Sequence, residues 1–254
     1  MVGSESTVCK ILQIKMVSIL PVAISTPNSK TNIYKNIPQK HDRAVTESMT
    51  EEVVRHDFPW VKDKNILLAL NELKQITFDK NEVAALKKIG VEIPFESGED
   101  AVKFLKKSNV RIVFDDMAAD IHAQYDFSKN FVKINKLYKD TLNTAEILAI
   151  AESILHEAGH AKDNDNKSSI QEELNFLGTN ALAHRDLQRR YPNMFKTSDS
   201  LIVQDGVSVY ERLFFDSDPE KKALIRRLQI KYGYLPAGDV KHPPSKLALK
   251  AKGL

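Results

Sequence analysis

Cysteine is almost missing from this chain. Cys9 is the only one in 254 residues, so no intrachain disulfide and no cysteine-based zinc site can form within one chain. A cytoplasmic setting fits that usage most simply, although secreted enzymes without disulfides also exist. Long apolar runs are missing as well. Residues 16–24 form the most apolar stretch near the start, and they are far too short to span a bilayer. Glu5 ahead of that stretch and Pro21 inside it count against a signal peptide. Charge of one sign is also lacking. The 37 basic and 34 acidic side chains are mostly intermixed and leave a net charge of only +3, which gives no case for nucleic-acid binding. Only the last residues depart from this balance. Lys241, Lys246, Lys250 and Lys252 occur there with no acid among them, which reads as a solvated, frayed end.

What remains is ordinary for a soluble globular protein: 42% hydrophobic and 28% charged residues, in a length that suits one good-sized domain with extensions. Residues 26–50 are rich in Asn, Lys, Ser, Thr and Pro without an apolar period, so residues 1–60 are expected to be a poorly ordered leader. A helical segment follows over 61–108, with Ile66, Leu67, Leu70 and Leu73 at helix spacing and further short helices over 80–89 and 99–107. The period then changes to that of strands at 109–114, 121–127 and Phe131–Asn135. Ser128, Lys129 and Asn130 supply the turn of a hairpin. Two long helices come next, one capped by Asn143 or Thr144, the other by Ser168 or Ser169 and closed by Pro192. More helix is expected at 207–215 and 219–232. The core is therefore placed at 109–235, and a basic tail at 236–254.

The chemistry is concentrated in the first long helix, at His156-Glu157-Ala158-Gly159-His160. Residues four apart on a helix share a face, with about 6 Å between their Cβ atoms. His156 and His160 can therefore both reach one ion at the zinc–nitrogen distance of roughly 2.0–2.1 Å. Glu157 is turned aside, where it can take a proton from an activated water instead of ligating. Two surface histidines beside an unrelated glutamate are the bland alternative. The unbroken apolar residues before the motif weigh against it, and so does Gly159, which costs about 1 kcal/mol against alanine in a helix unless something packs closely there.

A catalytic zinc needs a third protein ligand. Asp163 and Asn166 stand where a metzincin needs glycine and a ligand, so that pattern is excluded. Cys9 is too remote to act as a deformylase-type ligand. On a helical wheel of the next helix Glu173 lies at the edge of the inward face and Glu172 toward the far side, which favours Glu173 over Glu172. Asp163 and Asp165 follow His160 too closely to be strong candidates. His184 lies about 16 Å along the helix from Glu173, too far to join the metal.

With Ile154-Leu155-His156-Glu157-Ala158-Gly159-His160, the downstream Glu172-Glu173 and an upstream hairpin over 123–135, the chain resembles the gluzincin metallopeptidases, especially their minimal forms. That resemblance implies an α+β, zincin-like fold: a small, mostly antiparallel sheet with an edge strand over the cleft, packed on the zinc-binding helices. It implies a Zn2+ cofactor held by His156, His160 and Glu173, with Glu157 as general base for peptide-bond hydrolysis. A peptide or protein substrate is then expected along the edge strand near Phe131–Asn135, with neither nucleic acid nor membrane as partner. The family often has an acid or Asn four residues after the ligand glutamate. Leu177 stands there instead, and Asn180 is the nearest substitute. The sequence identifies no group for a developing oxyanion; Tyr210, in a later helix that could fold back, is the candidate, against the commoner role of a buried Tyr hydroxyl bonded to backbone. A catalytically weak zinc-binding regulatory or structural protein is the alternative, against which the intact Glu157 speaks.

Overall fold

The computed structural model describes residues 56, 58–194, 200–204, 207–215 and 218–254. The leader expectation for 1–55, with Cys9 in it, lies outside the described residues, but Phe58 and Val61 are buried in the core. Three helices open the described chain. They are α1 (Lys64–Gln75), α2 (Lys80–Lys88) and α3 (Gly98–Lys107), and each starts where an oxygen can satisfy the first free N–H groups. Asp63, Asp79 and Ser97 supply those oxygens. Among the described residues, no helix is long and apolar enough to cross a membrane.

The strands are β1 (Arg111–Asp115), β2 (Ala123–Asp126) and β3 (Phe131–Asn135), in the spatial order β1-β3-β2. β2 and β3 form the expected antiparallel hairpin, with Asn130 at a positive φ of 57° in its turn. β1 then joins β3 in parallel, pairing Arg111 with Phe131 through to Asp115 with Asn135. The sheet is therefore mixed rather than mostly antiparallel. Phe131–Asn135 is its middle strand, not its edge. Lys133 records the same arrangement, since its ammonium lies 3.2 Å from Asp115 on one neighbour and 3.0 Å from Asp126 on the other. Burial explains it: Val132 and Ile134 are fully enclosed, and a parallel partner extends that apolar surface with Ile112.

Two long helices follow: α4 (Thr144–Asp163), capped by Asn143, and α5 (Ile170–Arg190), capped by Ser169. Asn164 takes a left-handed conformation to end α4, and five further residues return the chain antiparallel. Beyond them come α6 (Leu201–Gln204), α7 (Val207–Phe215), α8 (Asp218–Tyr232) and α9 (Lys246–Lys252). One apolar core joins α1, α3, the sheet and α4; a second joins α5 to α7, α8 and α9. α5 serves both, with Ala183 and Leu187 in the first and Leu174, Leu177 and Leu182 in the second. α4 and α5 are therefore enclosed on nearly every side.

The end of the chain differs from the expected frayed tail. Ser245 caps α9, and Ala248 and Ala251 are fully buried. Pro236 and Ala237 carbonyls accept hydrogen bonds from the Ile170 and Gln171 amides at the start of α5. The lysines are compatible with this because the two alanines lie on one face of the helix and the charges fall around it.

Candidate metal centre

The α4–α5 hairpin brings the last turns of α4 against the first turn of α5. His156 and His160 stand one turn apart with ring centroids 5.1 Å from each other. Phe176 of α5 meets both imidazoles edge-on, at 5.8 and 4.6 Å between centroids. Gly159 makes that possible: a Cβ there would lie only 2.7 Å from the Phe176 ring. The glycine in the motif thus has the close-packing role its helix cost implied.

The first turn of α5 is organised by a capping box. The Ser169 hydroxyl accepts from the Glu172 amide at 3.2 Å, and Glu172 Oε2 accepts from the Ser169 amide at 3.3 Å. The other oxygen of Glu172 lies 2.9 Å from His160 Nδ1. Glu172 is thereby committed to the far side of the His160 ring. Glu173 meets the near side: its oxygens lie 3.5 Å from His160 Nε2 and 3.6 Å from His156 Nε2. One ligand atom from each of His156, His160 and Glu173 falls within 4.8 Å of the others, a grouping that could hold a metal ion.

Electrostatics follow from the crowding of acids around His160. Burial alone lowers an imidazole pKa, but the Glu172 hydrogen bond and the charges of Glu173 and Glu157 outweigh it and raise His160 to about 9. Burial likewise raises Glu173, yet the His156 bond and the charges of His160, His156 and Lys231 take it down to about 2. Glu157 is buried at 5% exposure on the same helix, where its charge already reaches His160.

A second grouping, Asp163, Glu172 and His242, lies nearby. It is already neutralised from within. Lys241 donates to the Asp163 backbone oxygen at 2.8 Å and to its carboxylate at 3.1 Å, and lies 3.4 Å from Asp165. Asp163 and Asp165 therefore engage the C-terminal segment, away from the two histidines' Nε2 atoms.

The motif histidines and Glu173, expected from sequence as one group, do meet, with Glu157 beside them. Asn180 does not take the orienting role considered for it, because its side-chain oxygen is buried without a hydrogen-bond partner. Glu172, adjacent to Glu173, holds the His160 ring instead. The Tyr210 side chain lies outside the described residues. Sequence reasoning missed Tyr234, just after α8. Partial burial and then the Glu173 charge raise its phenol, which places it within electrostatic reach of the site while 54% of the residue stays exposed. No helical spacing links it to the motif, so only the fold could reveal it. The chain matches no family model, no curated protein and no solved structure, and the site stands on its own geometry.

Proposed function

We propose that His156, His160 and Glu173 hold one zinc ion and that Glu157 is the general base for hydrolysis of a peptide bond. One observation carries this reading. Ligands at roughly 2.0–2.1 Å from a tetrahedral ion sit about 3.3 Å from each other; one Glu173 oxygen lies 3.5 Å from His160 Nε2 and the other 3.6 Å from His156 Nε2, and one ligand atom from each residue falls within 4.8 Å of the rest. The donor set fits too: two imidazoles and one carboxylate leave a fourth position open, as catalytic zinc sites do. Glu172 supports the assignment by accepting a hydrogen bond from His160 Nδ1, which turns Nε2 toward Glu173, where a metal would displace its proton and take its lone pair.

Zinc bound there supplies a polarised carbonyl and a water whose pKa falls to about 7. The remaining work belongs to the chain. Glu157 accepts the proton of the attacking water and returns it to the departing amine. β2, not β3, is an edge strand and lies beside α4, so an extended peptide would add along Ala123–Asp126. A minimal gluzincin-like architecture is the fold that best suits this chemistry. The buried Glu157 favours turnover over zinc binding alone.

The test is metal content together with turnover. Purified protein is expected to hold one zinc per chain and to cleave peptide until it is chelated. Glu157→Gln keeps the zinc but slows hydrolysis by about 10²–10⁴, since a carboxamide cannot accept the proton. Wild-type turnover in that variant, or no zinc uptake by the native chain, would sink the reading.

A further inference from the structure

Three turns of polar groups run through the buried α4–α5 interface. Glu152, His156 and His160 follow one another at four-residue intervals on α4. On α5, Glu173 and His184 are eleven residues apart, close to three full turns, and so share a stripe. At one end of this ladder lies the candidate metal centre. At the other, His184 Nδ1 is 2.8 Å from Glu152 Oε1, with the side chains 1% and 2% exposed. The Gln188 amide nitrogen lies 2.9 Å from the remaining ring nitrogen of His184.

So dry a pair, ionic only when the imidazole is protonated, is an odd way to gain stability. Desolvating both groups costs about as much as their attraction returns, and apolar residues of similar volume often do as well or better. What a directional pair can add is register. α4 and α5 are enclosed on nearly every face, from Ile147, Leu148 and Ile150 round to Leu155 on one and from Leu174 round to Leu182 on the other. α4 is apolar over most of its circumference, so its apolar burial alone discriminates weakly between rotations, whereas α5 also buries polar residues such as Gln171, Asn175 and Thr179. A rotation of α4 by one residue, about 100°, would carry His156 and His160 away from Glu173. The seating of Phe176 on Gly159 and the Glu172–His160 contact oppose it at one end of the interface, and the Glu152–His184 pair opposes it at the other.

We infer that Glu152 and His184 are positioning residues: their buried pair fixes the rotation of α4 on α5 and so presents His156 and His160 to Glu173. This rests on the metal-site reading above, and it adds a role for two residues that touch neither metal nor substrate. The pair sits within one turn of His156 along α4, close enough for its geometry to set that of the first ligand.

The experiment compares full-length wild type, Glu152→Leu/His184→Leu and the exchanged Glu152→His/His184→Glu. Each is measured for melting temperature, zinc affinity and the visible spectrum of the cobalt-loaded protein. The apolar pair is expected to melt at or above wild type, yet to bind zinc about 10–100-fold more weakly with an altered cobalt spectrum. The exchanged pair is expected to recover both affinity and spectrum. A folded apolar variant with wild-type affinity and spectrum overturns the inference. Should that variant not fold, the exchanged pair decides: wild-type zinc binding upholds the role, and weak binding or failure to fold overturns it. If wild type itself takes up no zinc, it is the metal-site reading that has failed.

Discussion

Neighbouring glutamates at the start of α5 divide two tasks, and their alanine variants should separate them. Glu173→Ala removes a carboxylate whose two oxygens meet the two Nε2 atoms and is expected to abolish stoichiometric zinc binding. From sequence, Glu172→Ala should cost little beyond helix-end electrostatics of about 0.3–1 kcal/mol. The structure raises that figure. Glu172 closes the capping box and holds the His160 ring, so its loss should cost about 1 kcal/mol of stability and about 10–100-fold in zinc affinity. Calorimetric titration of the two variants checks the ranking, and equal, complete losses would count against separate roles. The same residues set a pH dependence for the metal-free protein. His160 is raised to about 9 from 6.5, so its contribution is fully present below about pH 6.5 and is lost as pH rises through 9. Glu173 is lowered to about 2 from 4.5, so its contribution is present above about pH 4.5 and is lost as pH falls toward 2. Chelated protein should therefore melt lower at pH 9 than at pH 6. Melting curves at those two values that coincide would contradict the assigned cause.

Among the elements, α4 shows how one glycine can serve packing against its own helix propensity. Gly159→Ala gains up to about 1 kcal/mol in propensity but forces Phe176, which is 2% exposed, out of contact with both imidazoles. Overpacking of this kind costs about 1–3 kcal/mol, so the variant is expected to be less stable and to bind zinc more weakly. Adding Phe176→Leu should return much of the lost stability. A Gly159→Ala protein more stable than wild type would show that the ring yields freely. The sheet teaches a different lesson. Its three strands were legible from alternation and turn residues, since side-chain direction within a strand is local chemistry. Which strand lies in the middle was not legible, because β1 pairs with β3 across the whole intervening hairpin and nothing in either strand's alternation marks its neighbour. With β3 central, the edge strands of the sheet are β1 and β2.

For the whole molecule, the C-terminal segment is the largest departure from what composition implies. Removing residues 241–254 would take away Lys241 from Asp163, the Ser245 amide from Gln171, and the two buried alanines of α9. A frayed end could be cut without consequence; this one is expected to lower the melting temperature by on the order of 5–10 °C. An unchanged melting curve would restore the tail reading. The sequence by itself determined most of the helices, though not α6 or α9, narrowed the caps of the two long ones to adjacent residues, and gave the two histidines with their glutamate, because each depends on residues within a turn or two of one another. Capping, periodicity and four-residue spacing are all local. Glu173 stood at the limit of that reach, since its helix could be drawn but not yet docked. Only the tertiary structure decided that Glu172 holds the His160 ring, that Glu152 meets His184 and that β3 is central. Those pairings join residues distant along the chain, and they follow from how enclosed surfaces pack against one another, which no window of sequence records.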